Sequence, residues 1–355
     1  MGEEPVEADG DAAADLDTRQ LAVVVAKPRA EAVIEALDAE GVYDDSRSVG
    51  AWDDDGVAVP VTAPPETVEV REVVQQVGER RLRSLSDHLR QRGWTEAELD
   101  AAPASWAVVG SVVLVAMGEA PRPREVGEAL LALHGEADTV LARNGISGAH
   151  REPDVTVVAG EGDTETVHTE HGTEYALDLA EVMFSPGNKA ERARMGEVVE
   201  GRDERVLDMF AGIGYFTLPM ARAGAEVTAV ERNPTAFRYL VENTMRNGVD
   251  GLVHPYRADC REVIDAGIEG GPVDRVVMGY YESWEYLDHA LAALTPGGTL
   301  HMHETTPEHL VFDRPIERLE TAADDAGRSV EVLDTRRVKS HSEGVVHVVV
   351  DARID

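Results

Sequence analysis

The stretch RVLDMFAGIGYFTLP at residues 205–219 constrains the fold more than any other part of the chain. An apolar run with strand character ends at Asp208, glycines follow at 212 and 214, and a helical pattern opens directly afterwards. In that order a glycine loop lets backbone N–H groups come close to a nucleotide-like ligand. Glycines also serve ordinary turns, because they accept positive φ without penalty, so the flanking sequence has to separate the two readings. The third glycine of the dinucleotide fingerprint is replaced by Thr217, which argues against NAD.

From residue 205 onward strands and helices alternate. RVLDMF, EVTAVE, VHPYRAD and DRVVMGY read as strands, TLHMHET follows a TPGG turn, and helices run to Arg222, through Asn247 and over 285–294. Such alternation predicts an α/β domain around a mostly parallel, doubly wound sheet. VEVLDTRRV and GVVHVVVDARI predict an antiparallel closing hairpin. Glu231 ends the second strand 17 positions after Gly214, where a carboxylate can accept hydrogen bonds from both hydroxyls of a ribose. Asn233 and Pro234 form an N-cap and first helical position, which accounts for a polar cluster there but not for the spacing of the glutamate. Asp259 and Cys260 end the third strand at the same rim, placing a carboxylate and a backbone N–H where an adenine amino group and ring nitrogen would meet them. Together these strand ends resemble the S-adenosylmethionine site of class I methyltransferase-like Rossmann domains.

Smaller α+β domains precede this one. Residues 1–18 are acidic and aperiodic and predict a solvated tail. Residues 19–64 read as a small module of strand, helix and strand pair. Residues 65–180 read as a middle domain: charged, helix-forming sequence, a strand pair turning at Gly110 and Ser111, the amphipathic helix PREVGEALLALHG, then strands separated by glycines. The catalytic domain is assigned to 181–355.

Charge bears on the partner. The chain has 68 Asp and Glu against 33 Lys and Arg, a net charge of −35 spread along its length, with few lysines and 5% aromatics. That pattern suits a surface adapted to a high-salt cytoplasm, as in halophilic archaea. Acidity normally opposes a polyanionic ligand, but at about 1 M salt the Debye length falls to about 3 Å, so only local contacts count and nucleic acid remains open as a partner. Cys260 is the sole cysteine, which excludes an intramolecular disulfide and any multi-cysteine zinc site. No metal framework, signal peptide or run of 18 apolar residues is visible, so a soluble cytoplasmic protein without membrane association is expected, and no obligate protein partner is evident.

Across residues 19–355 the chain resembles the tRNA guanosine N1-methyltransferases and their wybutosine-synthesising relatives. The motifs that carry the resemblance are Gly160-x₄-Glu165-Thr-Val-His168, Phe184-Ser-Pro-Gly-Asn-Lys-Ala-Glu-Arg192, and Asp208 through Pro219. Two branches of that group differ at the end of the fourth strand, where the methyltransferases carry an Asn-Pro-Pro or Asn-Leu-Pro type motif. Here Met278-Gly279-Tyr280 stands instead, and with the segments 233–243 and 297–308 it resembles the aminocarboxypropyltransferase branch. The resemblance implies transfer of the 3-amino-3-carboxypropyl group of S-adenosylmethionine to C7 of 4-demethylwyosine, 3′ to the anticodon of tRNA-Phe, with release of methylthioadenosine.

It also implies Ser185, Arg192, Glu231, Asp259 and Cys260 as cofactor contacts, beside Asp208, Gly212 and Gly214 of the loop. The family usually has Asn at the position of Cys260, which leaves a backbone contact there and puts the side-chain contact in doubt. Candidate proton acceptors are His303 and Glu304, with Tyr280 placed to orient a base; His168 and Arg151 are candidates for tRNA contact. The alternatives are a guanosine N1-methyltransferase and a non-catalytic tRNA-binding protein. No metal is implied.

Overall fold

The computed structural model describes residues 21–75, 78–148, 150–199, 201 and 203–355; the acidic segment 1–18 lies outside them. The chain divides into two compact units at His88 and Leu89. In the first, four strands lie in the order Gly50–Ala51, Gly56–Val61, Leu21–Ala26, Glu72–Gln75. Leu21, Val23 and Val25 alternate onto one face, where Val33 and Leu37 of the helix Ala30–Glu40 cover them. That helix stops at Gly41, which takes a left-handed φ of 77°. Residues 65–100 were expected to be helical. Their β-branched run at Glu72–Gln75 instead pairs antiparallel with Leu21–Ala26, because valines serve a half-covered edge better than a helix, and helices occupy only Leu85–Gln91 and Glu96–Asp100.

The second unit begins with a four-stranded sheet whose order follows the chain: Trp106–Val109, Val112–Val115, Thr139–Ser147, Glu152–Gly160. The first pair turns at Gly110, at φ 57°, as its sequence requires. The helix Pro123–Leu133 makes the crossover to the parallel strand Thr139–Ser147 and buries Val126, Ala129 and Leu130. Gly127 faces Ala159 so closely that a Cβ would lie 2.7 Å from it. A separate hairpin, Glu165–Glu170 with Thr173–Asp178, leads toward the larger sheet.

That sheet has seven strands in the order Val253–Tyr256, Glu226–Val230, Arg205–Asp208, Val273–Met278, Leu294–Pro307, Val345–Ile354, Val330–Ser342. The first five are parallel and the last two pair antiparallel. This is the class I methyltransferase-like arrangement, with the closing hairpin inserted so that Val345–Ile354 lies inside and Val330–Ser342 at the edge. Thr295-Pro-Gly-Gly, expected as a turn before the fifth strand, is an excursion within it: Val273 pairs with Leu294, Arg275 with Thr299, and Gly297 takes φ 78°. Strand order reverses on either side of Arg205–Asp208, so a crevice opens at the carboxyl ends of that strand and its neighbours.

Asn243, fully buried on the helix Pro234–Arg246, fixes this crevice to the preceding hairpin. Its side chain accepts from the Ala176 N–H at 2.7 Å and donates to the carbonyls of Ala176 and Ile213 at 3.1 and 3.0 Å. A glycine-loop carbonyl and a strand of the hairpin are thereby held by one side chain.

Candidate functional site

The crevice is a cleft of ≈ 1000 Å³ lined by the glycine loop, by the ends of the second, third and fourth strands, and by His150, Arg151, Val182, Met183 and Asn188. Asp208 lies behind it, fully buried. One oxygen accepts the Phe210 N–H at 3.3 Å and the other the Thr217 hydroxyl at 2.7 Å, so a single carboxylate ties the two ends of the loop. Thr217, which breaks the dinucleotide fingerprint, supplies that bond. Burial lifts the Asp208 pKa to about 6 against the pull of these two hydrogen bonds.

Gly212 lines the cleft at φ 57° and donates its N–H to Glu231 at 2.8 Å; a Cβ there would lie 2.6 Å from the Tyr215 ring. Gly214, at φ 105°, does not line it and instead admits Leu218, which a Cβ would meet at 2.7 Å. Glu231 also accepts the Asn233 N–H at 2.6 Å. Burial pushes its carboxyl pKa up, opposed by these backbone bonds. Asn233 caps the following helix through Thr235 and Ala236 and reaches the His150 carbonyl at 3.2 Å.

Asp259 caps the helix Cys260–Ala266 through the Arg261 N–H and holds the Arg261 guanidinium at 2.9 and 2.7 Å. Those side-chain bonds keep its carboxyl below the usual range. Burial raises the Cys260 thiol to about 12, so it is no nucleophile at neutral pH. Phe210, Tyr280 and Tyr286 form an aromatic cluster on the same wall, with Phe210 5.2 Å from Tyr280 and 5.0 Å from Tyr286 between ring centres. Apolar walls, two strand-end carboxylates and nearby backbone donors suit a nucleoside with a free ribose diol.

The structure thus gathers Gly212, Glu231, Asp259, Cys260 and Tyr280 around one cleft and places other expected site residues elsewhere. Arg192 is 2% exposed. It grips Glu170 through two bonds of 2.7 and 2.9 Å, donates to the Ser185 carbonyl at 2.9 Å and lies 4.7 Å over the Phe184 ring. His168 joins from the other side, bonding Glu170 at 3.0 Å and accepting the Gly110 N–H at 3.2 Å. Burial alone would raise the Glu170 pKa; hydrogen bonds from His168 and Arg192 outweigh it and hold it near about 2. Ser185 receives a hydrogen bond from Lys339.

His303 is buried against His347, 3.1 Å away, and against the Phe216 ring. Burial depresses its pKa to about 3. Glu304 points to the opposite face and is bound by Arg314 at 3.0 Å and Arg318 at 2.5 Å. Neither lines the cleft. Arg151 does, 5.1 Å over the Tyr281 ring. Tyr281 and Tyr286 were not singled out from sequence; only the tyrosine doublet after Gly279 hinted at the first. Among the described residues no group of His, Cys, Asp or Glu could hold a metal ion, and no helix is long and apolar enough to cross a membrane.

Residues 166–333 match the family described as TRM5/TYW2 methyltransferase domain, and residues 85–164 match the TYW2 N-terminal domain. The tRNA(Phe) (4-demethylwyosine(37)-C(7)) aminocarboxypropyltransferase of Pyrococcus horikoshii is 38% identical over 256 residues, covering 71% of this chain and 90% of that protein. The crystal structure of P. horikoshii TYW2 in complex with MeSAdo superposes with a TM-score of 0.63 at 34% identity, covering 75% of this chain and 96% of that one. Trm5b from Pyrococcus abyssi superposes with a TM-score of 0.74 at 29% identity, covering 95% and 99%.

Proposed function

The chain belongs to the TRM5/TYW2 family, in its TYW2 branch, and we propose that it transfers the 3-amino-3-carboxypropyl group of S-adenosylmethionine to C7 of 4-demethylwyosine at position 37 of tRNA(Phe). The observation that carries the choice of branch is Met278-Gly279-Tyr280 at the end of the fourth strand. Gly279 lines the cleft with no room for a side chain, since a Cβ would lie 2.7 Å from the Phe216 ring. A prolyl motif that steadies an acceptor nitrogen has no counterpart there, and an aromatic wall takes its place.

A sulfonium offers three electrophilic carbons, and position alone selects among them. Glu231 would accept the ribose hydroxyls, Asp259 the adenine amino group, and the Cys260 N–H a ring nitrogen, with Phe210 and Tyr286 against the purine. Gly212, held by Glu231, brings the loop backbone close. In the transfer, C7 bonds to the γ-carbon, the γ-carbon–sulfur bond breaks with its electron pair going to sulfur so that methylthioadenosine leaves, and C7 gives up its proton to solvent water. Tyr280 stands at the mouth, its hydroxyl donating to Glu282 at 2.8 Å, and would orient the acceptor base. The partner is the anticodon loop of tRNA(Phe), the location the cytoplasm, and the composition that of a halophilic archaeal protein.

Incubation with tRNA bearing the tricyclic base should release methylthioadenosine and add about 101 Da to the nucleoside. S-adenosylhomocysteine with an added mass of about 14 Da would return the protein to the methyltransferases, because the two products report which sulfonium bond breaks.

A further inference from the structure

Beyond the adenosyl end a second, wider opening of ≈ 2120 Å³ continues from the first, with Arg151, Val182, Met183 and Tyr281 lining both. Segments far apart in sequence meet there: Arg143 on the strand Thr139–Ser147, Arg151 in the turn after it, Ser185 before the helix Lys189–Glu197, and Lys339 on the sheet-edge strand Val330–Ser342. In a chain of net charge −35, these three cations line one opening with a single carboxylate, Glu282. Among the described residues none of Arg143, Arg151 and Lys339 forms an ion pair; Lys339 bonds the Ser185 hydroxyl, and Arg151 lies over Tyr281. Glu282 also lines the opening but receives the Tyr280 hydroxyl. Lys339 is one of three lysines in the chain, with Lys27 and Lys189, and it is half-buried. Burial, then Arg143, Arg192 and Arg151, push its pKa down to about 8.

We propose that Arg143, Arg151 and Lys339 form a cradle for a phosphodiester of the acceptor nucleic acid, positioning the target nucleotide against the adenosyl end of the cleft; this rests on the tRNA reading given above. Cations crowded together at a cost in the free protein are what an entering phosphate would neutralise, and in concentrated salt only such close contacts retain force. An opening of ≈ 2120 Å³ has room for a nucleic-acid strand, not only for a free ion.

Binding of tRNA and of S-adenosylmethionine should be measured separately on the full chain and on its Lys339→Met, Arg143→Met and Lys339→Arg variants, across the salt range in which circular dichroism shows each folded. Either methionine should weaken tRNA binding about tenfold and lower the slope of log K against log salt by about 1. S-adenosylmethionine affinity should hold, the loss should fall on KM for tRNA rather than kcat, and Lys339→Arg should restore binding. Wild-type tRNA affinity should also fall over roughly pH 7–9 as Lys339 loses its proton, and Lys339→Arg should abolish that dependence. The groups facing Lys339 do not supply it. Guanidinium groups as a class do not titrate in this range, Ser185 does not titrate, Tyr281 is raised by burial, and burial lowers His341 and holds His347 at about 2. Unchanged affinity and slope would overturn the cradle; lost S-adenosylmethionine affinity with intact tRNA binding would give this wall to the co-substrate instead. Failure of the tRNA reading itself shows differently, as wild-type protein that releases no methylthioadenosine.

Discussion

The two ends of the cleft hold charge in opposite ways. At the adenosyl end, carboxylates are fixed by backbone N–H groups: Glu231 by Gly212 and Asn233, Asp259 by Arg261. At the other end, long cationic side chains from separate segments converge with little backbone support. Backbone-held acceptors are preorganised and define one shape, which suits a small rigid nucleoside. Side-chain cations adapt, which suits a polymer whose register must be found. The Glu170–Arg192 pair lines neither end; it is buried, doubly bonded and in contact with the Ser185 carbonyl.

The sharpest way to break this contrast is Gly212→Val. A branched side chain at φ 57°, with the Tyr215 ring 2.6 Å from its Cβ, must distort the loop that Glu231 holds. S-adenosylmethionine affinity should fall more than about a thousandfold, or about 4 kcal/mol, while tRNA affinity stays near wild type. Equal loss of both ligands would show that the two ends are one site.

Next in size is the Glu170–Arg192 pair. Glu170 has its pKa held near about 2 against an ordinary 4.5, so it stabilises the fold fully above pH 4.5 and loses that contribution as pH falls toward 2. The difference corresponds to about 3 kcal/mol, in line with the ~3–5 kcal/mol of a broken buried pair. Urea unfolding of Glu170→Gln at neutral pH should show that loss, and the gap to wild type should narrow as pH falls below about 4.5 and close toward pH 2. A gap independent of pH would mean that packing, not charge, sets it.

Both experiments also bear on what the sequence could disclose. That Gly212 and Glu231 line one cleft was legible because the parts are local: they sit at ends of adjacent strands whose spacing the alternating pattern preserves. Arg192 was expected at the co-substrate, yet its partner, Glu170, lies on a different hairpin, and no periodicity announces a tertiary ion pair. His303 and Glu304 alternate along one strand, so they face opposite sides. What covers each side is set by tertiary neighbours: His347 of the strand Val345–Ile354 meets His303 on one face, and Arg314 and Arg318 of the helix Asp313–Asp325 hold Glu304 on the other. Lys339 was invisible for the same reason, since the edge strand reaches Ser185 only after the sheet closes.

Glu231→Ala is a smaller, more selective change at the adenosyl end. Removing the acceptor should weaken S-adenosylmethionine binding by about 1.5–3 kcal/mol, with little unfolding, because Gly212 and Asn233 keep other routes to solvent near an open cleft. Calorimetric titration with unchanged affinity would take Glu231 out of the ribose contact and leave it as a loop anchor only.

The smallest effect is expected where a catalytic role was first sought. His303 is buried with His347, its Nδ1 3.1 Å from the His347 Nε2 and its own Nε2 without a partner among the described residues. Its pKa near about 3, set by burial and by the positive charge of Arg336, makes it a feeble proton acceptor. General base catalysis is most effective when the acceptor's pKa lies near the working pH, and a group that low gains little from being neutral. It also lines no part of the cleft, so a proton leaving C7 has no path to it through the observed walls. His303→Gln, which keeps a polar group for His347, should therefore leave kcat within about threefold and the pH profile unmoved, at some cost in thermal stability. A drop of two or more decades in kcat with S-adenosylmethionine affinity intact would place the proton path through the fifth strand after all, and would require the His303 and His347 rings to turn toward the cleft when tRNA binds.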